Sequence, residues 1–241
     1  MKEMSEIIKN TIGVNSEPVG VKFLETIHDK NIRIAESHRF CQLIMRARKG
    51  EELILDTENI TCPAAAAALG FKQLPDKLKD GSMLQGYGIF RKKESAMKVM
   101  EDMPRFEQGK YKAVLAKPLA KWEESPDVVI IEDEVEKLMW IALAYLNDEG
   151  GRLNFSTSIL QAMCVDSAII PFKTDKINMS FGCYGCRDAT DAKSSEAILG
   201  LPGNKLEMVV RNLQNLKEKA IPRSRQKSVY KAISQRLKDE N

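Results

Sequence analysis

The chain predicts an α/β fold on a mixed sheet, with α+β as the variant, in two intimately packed and internally duplicated halves. Three observations predict it. Short β-branched runs alternate with amphipathic helical runs from end to end, the pattern of a sheet covered by helices. Pieces of residues 18–118 return in the same order within residues 126–202, which marks an internal repeat. No stretch rich in Pro, Gly or Ser divides the chain, so residues 1–241 are expected to form a single compact unit. Residues 203–241 then supply C-terminal helices, with a basic tail over 222–241.

The elements follow in order. Met4, Ile7, Ile8 and Ile12 give a short amphipathic helix ending at Gly13. Val19 to Phe23 reads as a strand. Ser37 can cap a helix running to about Arg48, with Gly50 as its stop. Leu53 to Leu55 is a strand. Cys62-Pro63 opens an alanine-rich helix, with proline in its favoured first turn. Leu74 to Leu78 gives a helical turn, and Glu94 to Met103 a helix halted by Pro104. Tyr111 to Ala116 and Val128 to Ile131 are strands. Glu134 to Asn147 holds the longest apolar run, Leu138 to Leu146. That run is far short of the roughly 20 residues a bilayer needs, so it predicts a buried helix. Leu153 to Phe155 reads as a strand, Cys164 to Ile170 as a helix, Ile177 to Phe181 and Ala197 to Leu199 as strands. Leu206, Val209, Val210, Leu213 and Leu216 mark another amphipathic helix.

Composition bounds the function classes. At 241 residues, 43% hydrophobic and 29% charged, the chain is ordinary globular material. The N-terminus carries acids where an export signal would carry bases, so a cytoplasmic protein is expected, with no membrane partner. The net charge of +3 sits in the tail, where six Lys and Arg face two acids. The body shows no basic stripe, so a nucleic-acid partner is not expected. Within the tail, Val229, Ile233 and Leu237 predict a terminal helix docked by a narrow apolar stripe, its basic face in solvent. A contact with an acidic partner is the alternative.

The five cysteines carry the chemistry. An odd number in such a chain argues against a disulfide framework. Cys62 and Cys164 fall at matching places of the repeat, each after a strand-like run and near a helix start. Unpaired N–H groups at a helix start favour thiolate, the form that binds metal or attacks. The alternative for each is a small buried hydrophobe. Cys183 and Cys186 form C-x-x-C in a glycine-containing stretch, where Arg187 can donate to an anionic group. The polar run after Asp188 predicts a loop there. A redox dithiol wants the pair to open a helix, so metal ranks ahead of dithiol. Cys41 lies on a helix, and alone would be a core residue. The five positions lack the two close pairs of a zinc ribbon. They suit a cluster assembled from separate loops, as four thiolates around a [4Fe–4S] core require. His38, three residues before Cys41, allows a thiol–imidazole contact or a solvated helix-start histidine. His28 is the other histidine. No phosphate-binding glycine motif is present.

Taken together, Val19-Gly20-Val21-Lys22-Phe23, Cys41-Gln42, Cys62-Pro63, Pro126-Asp127-Val128-Val129, Cys164 and Gly182-Cys183-Tyr184-Gly185-Cys186-Arg187 resemble domain of unknown function family 169, the archaeal Cys-rich proteins. The resemblance covers nearly the whole chain except the basic tail. It implies a family of anaerobic archaea and bacteria without a settled activity, and a pattern G-C-x-G-x-R. On that pattern Cys183 is the family cysteine and Cys186 occupies a variable position. The working set is then Cys41, Cys62, Cys164 and Cys183, with Cys186 as alternate ligand and Arg187 beside the cofactor.

The resulting expectation is a cytoplasmic iron–sulfur protein, of [4Fe–4S] type, with zinc as the second choice of metal. Its role would be redox or small-molecule binding, with a small-molecule ligand or an electron-transfer partner. Two alternatives stand beside it. One is a non-enzymatic binding module with inert buried cysteines. The other is a dithiol oxidoreductase using Cys183 and Cys186.

Overall fold

The computed structural model describes residues 1–27 and 32–239; His28 lies outside them. Its centre is a seven-stranded sheet: β1 (Val19–Leu24), β2 (Arg33–Ile34), β3 (Leu53–Asp56), β4 (Ala113–Pro118), β5 (Val128–Glu134), β6 (Asn178–Ser180) and β7 (Glu196–Pro202). The order is β2-β3-β4-β1-β5-β7-β6. Only β2 and β3 run parallel; every other neighbour is antiparallel. The sheet is therefore mixed, as the alternating pattern predicts.

Helices cover both faces: α1 (Lys2–Ile12), α2 (Phe40–Ala47), α3 (Pro63–Ala68), α4 (Asp76–Lys79), α5 (Ser82–Gly86), α6 (Lys93–Glu101), α7 (Val135–Leu146), α8 (Ile170–Thr174), α9 (Tyr184–Ala189), α10 (Leu206–Glu218), α11 (Ala220–Arg225) and α12 (Ser228–Asp239). A π-helical segment, Ala162–Ile169, runs directly into α8. Strand alternation sorts the core into two layers. Val19, Val21, Leu53, Leu55, Val128 and Ile130 pack with α2, α3 and the π-helical segment. Val129, Ile131, Leu199 and Leu201 pack on the other face with α1, α7 and α10. Each such side chain, fully buried, contributes about 1.5–3 kcal/mol. All five cysteines belong to the first layer.

Gly200 lets the π-helical segment ride close on β7. A Cβ there would lie 2.0 Å from the Ser167 carbonyl oxygen and 2.8 Å from Pro171 Cγ. Only a residue without a side chain permits that approach.

Several sequence expectations need correction. Residues 152–158 form no strand. Ser37 is not the cap of α2: it stands at φ 52°, and Arg39 is the N-cap, with Gln42 accepting from the Arg39 N–H at 2.9 Å. The helix α7 is buried on one side only, because Val135, Met139 and Leu143 remain exposed. The stripe of α12 is exposed rather than docked. The Cys183–Cys186 stretch is not a loop: Cys183 caps α9. Polar residues beyond Ala189 misled there, since one short helix needs few apolar positions.

The strand order is symmetric about the β1–β5 boundary: β1, β4, β3 outward on one side, β5, β7, β6 on the other. The helices do not share one order. Among the described residues α7 has no counterpart between β1 and α2, and α4 to α6 none between α9 and β7. The counterpart of β3 by sheet position is β6, not residues 152–155. That places Cys62 opposite Cys183, each the N-cap of the helix after its strand, and leaves Cys41 matched with Cys164.

Candidate functional site

Four helix starts point their first turns at one place. Pro63 fixes the start of α3, so Cys62 sits at its N-cap in extended conformation. Burial pushes the Cys62 thiol up, while the Ala65 and Ala64 amides pull it back down; neither makes a full capping hydrogen bond. Cys183 caps α9, and its Sγ accepts from the Cys186 N–H at 3.3 Å. Its thiol is pushed far above the ordinary range by a hydrogen bond with the Cys186 thiol and by burial, against the pull of the Ala162 and Cys186 amides. Ala162 is the first residue of the π-helical segment, so two helix starts serve one sulfur.

Cys164 lies in that segment's first turn and donates to the Gln161 carbonyl at 3.6 Å. Burial raises its thiol well above the usual value, and the charges of Cys62, Cys183 and Asp166 add to the rise. Cys41, in the first turn of α2, is 8% exposed, and Cys186 only 1%. The Cys183 thiol pulls Cys186 down, but the Cys41 thiol, burial and nearby Glu132 outweigh it and push it up to about 11. Behind Cys186, Arg48 donates to the buried Glu132 at 2.6 Å and approaches Glu196 at 3.9 Å.

The five cysteines line one cavity of about 400 Å³. Leu78, Met83, Leu84, Ile89, Leu160 and Met163 give it an apolar wall, and Arg39, Gln161 and Asp188 are among its polar lining. Among the described residues, no three of His, Cys, Asp and Glu form a group that could hold a metal ion. The thiols thus share a space rather than a point.

Every cysteine singled out in the sequence comes to this cavity. Arg187 does not. Its guanidinium donates to the main-chain oxygens of Phe181 at 2.6 Å, Glu196 at 2.7 Å and Lys193, which spends its donors on holding the chain around α9. His38 makes no thiol contact either, since its ring nitrogens face the Glu36 carbonyl and the Arg46 guanidinium.

Sequence reasoning missed four contributors. Arg39 donates to the Gly185 carbonyl at 3.0 Å and lowers the Cys62 thiol. A base at a helix start opposes the dipole, and that misfit was its signal. Tyr87 and Tyr184, each next to a glycine and both exposed, reach the cavity lining. Asp166 is buried, accepts from Thr157 Oγ1 at 2.5 Å, and is pushed up to about 6 by burial against the pull of Thr157 and Ser180. An acid within the apolar run 162–170 was the visible sign.

Comparison with known proteins identifies the family. The family model of DUF169, the uncharacterised ArCR family, matches residues 7–212. An uncharacterized protein of Methanocaldococcus jannaschii is 27% identical over 199 residues, covering 82% of this chain and 85% of the relative. No solved structure matches the chain. The chain belongs to domain of unknown function family 169, the uncharacterised ArCR family.

Proposed function

We propose that this protein is an iron–sulfur protein whose cluster, of [4Fe–4S] type, occupies the five-cysteine cavity and serves redox or small-molecule-binding chemistry. One observation carries the reading: cysteines spread from position 41 to 186 all line a single cavity. Cys62, Cys164 and Cys183 would supply three thiolates, and Cys41 the fourth, with Cys186 as the alternate.

The electrostatics support a cationic occupant. Cys164 is raised by the charges of Cys62 and Cys183, so thiolates there repel one another. Bound iron would neutralise them and release their protons. Helix starts around the cavity favour the net negative charge that a cationic iron–sulfur core carries together with its four thiolates. Thiols that share a space rather than a point favour a polynuclear cluster over a single zinc. When bound, such a cluster supplies an electron-transfer centre.

The test is anaerobic purification with iron and sulfide analysis and an absorption spectrum. Cys62→Ser, Cys164→Ser and Cys183→Ser should each lose most iron, and so should Cys41→Ser, whereas Cys186→Ser should keep it. Retention by Cys41→Ser and loss by Cys186→Ser would exchange those two ligands. Full retention in the Cys62, Cys164 and Cys183 variants would end the proposal.

A second reading has its own observation. Cys183 and Cys186 open a helix after a strand, the placement a redox dithiol uses. Their thiols are both raised rather than lowered, which suits a reactive pair poorly. Thiol–disulfide exchange that needs Cys186 and ignores Cys62 would favour it.

A further inference from the structure

Two packing units meet in the cysteine cavity. The cysteines belong to the first layer of the core. The apolar wall comes from α4, α5 and the turn after α5, through Leu78, Met83, Leu84, Tyr87 and Ile89. Leu78 and Leu84 pack with Ala96 and Met100 of α6 in a small core of their own. Among the cysteines, only Cys62 packs against both units. The α4–α6 segment has no counterpart between α9 and β7 among the described residues, so it is an addition to the shared sheet plan. Its shape is fixed. A Cβ on Gly81 would stand 2.4 Å from the Lys93 carbonyl oxygen, so α5 and α6 meet at contact distance. Asp80 pairs with Lys93 at 2.9 Å and accepts from the Ser82 N–H at 2.9 Å. A preformed apolar wall with a few polar groups beside it is the form of a small-molecule site.

The polar group stands at the cysteine end. Among the described residues that line the cavity, Arg39 is the one Lys or Arg. Its Nη1 donates to the Gly185 carbonyl at 3.0 Å and lies 3.7 Å from Asp188. Its charge reaches the Cys62 thiol and lowers it. A guanidinium carries five N–H donors, and among the described residues only Nη1 of Arg39 makes a hydrogen bond. Nε and Nη2 remain for an anion, the partner a guanidinium binds best. Asp188 is exposed and offsets part of the charge.

We propose that the cavity binds a small organic acid, its carboxylate on Arg39 beside the cysteines and its apolar body against the α4–α5 wall. This rests on reading the cavity as a small-molecule site, and it names the class of molecule. The cavity of about 400 Å³ falls within the about 300–1,000 Å³ of such sites. Tyr87 and Tyr184 line the cavity yet are exposed, so they extend its apolar surface to the mouth. A neutral molecule of the same shape would leave the guanidinium without its anion.

Calorimetric titration of the anaerobically purified full chain tests this, with phenylpropanoate, its amide and acetate as probes. Phenylpropanoate should bind, and the amide and acetate should each bind roughly tenfold more weakly or less, the first for want of the charge and the second for want of the body. Arg39→Gln should erase the preference for acid over amide, and Arg39→Lys should keep part of it. Asp188→Asn should strengthen binding of the acid and leave the amide unchanged. Met83→Glu, and Tyr87→Glu at an exposed position, should weaken both ring-bearing probes, with folding checked by circular dichroism. Equal affinity for acid and amide overturns the proposal, as does a preference that survives Arg39→Gln or indifference to both wall substitutions. Iron measured in the same samples reports the cluster separately. Iron-loaded protein that ignores every probe overturns the organic-acid site and leaves the cluster standing. Iron-free protein that binds with the stated preferences supports the organic-acid site without the cluster.

Discussion

Replacing Gly200 by alanine should strike the fold and the cavity together. Gly200 lies on β7, paired with Ile130 on one side and Asn178 on the other. Its missing Cβ would stand 2.0 Å from the Ser167 oxygen and 2.6 Å from the Ser167 carbonyl carbon. Carbon and oxygen normally rest about 3.3–3.6 Å apart, so the π-helical segment must retreat by more than about 1 Å. The clashing atoms are main chain and cannot swing aside. Overpacking of this kind costs about 1–3 kcal/mol, and the rigid neighbour argues for about 3 kcal/mol. With a urea slope near ~3 kcal/mol/M for a chain of this size, the unfolding midpoint should fall by about 1 M. Cys164, carried on the displaced segment, should become easier to alkylate. Gly86→Ala is the control: nothing lies within 4 Å of its Cβ position, and the helical site should gain about 0.5 kcal/mol. An unchanged midpoint and unchanged Cys164 reactivity in Gly200→Ala would refute the reasoning.

Two further outcomes concern the metal-free protein. Asp166 titrates near about 6 when folded and near ~3.9 when unfolded, so the folded state holds the proton more tightly. Stability should then be full below about pH 4 and fall by about 3 kcal/mol as pH rises through 6; Asp166→Asn should remove that slope in denaturant titrations across the same window. Thiol alkylation followed by peptide mass mapping should modify Cys62 first. It is partly exposed and relieved by two amides, whereas Cys183 is raised far higher and Cys41, Cys164 and Cys186 are buried. Early labelling of Cys164 would contradict the described burial.

Much of the sheet was legible because its strands are short apolar runs with clear stops. Val19 to Phe23 and Val128 to Ile131 follow closely after prolines; Val19, Val21 and Phe23 turn into the first layer, and Val128 to Ile131 alternates between both. The strand wrongly expected at Leu153–Phe155 shows the limit: Leu153 and Phe155 pack against the second layer without sheet pairing, and an apolar alternation cannot report its hydrogen-bond partners. β6 was found as an element, but not its place at the edge beyond β7, which depends on long-range pairing. At the site, Cys62 was legible because Pro63 declares a helix start locally. The gathering of Cys41 and Cys186 was not local; it depends on α2 and α9 packing over the same face. Arg187 misled because an arginine after C-x-x-C reads the same whether it meets an anion or three carbonyls.

The boundary between β1 and β5 is short, only Val19–Ile130, Gly20–Val129 and Val21–Val128 being in register. The cavity straddles it, with Cys41 and Cys62 from one side and Cys164, Cys183 and Cys186 from the other. Anything gripped from both sides would act as a clasp across that join. Its affinity would add to cohesion, by about 2.7 kcal/mol at a hundredfold excess over Kd. A chain nicked within residues 119–127, between β4 and β5, would turn that clasp into a reassembly signal: two fragments whose recombination is governed by what the cysteines hold.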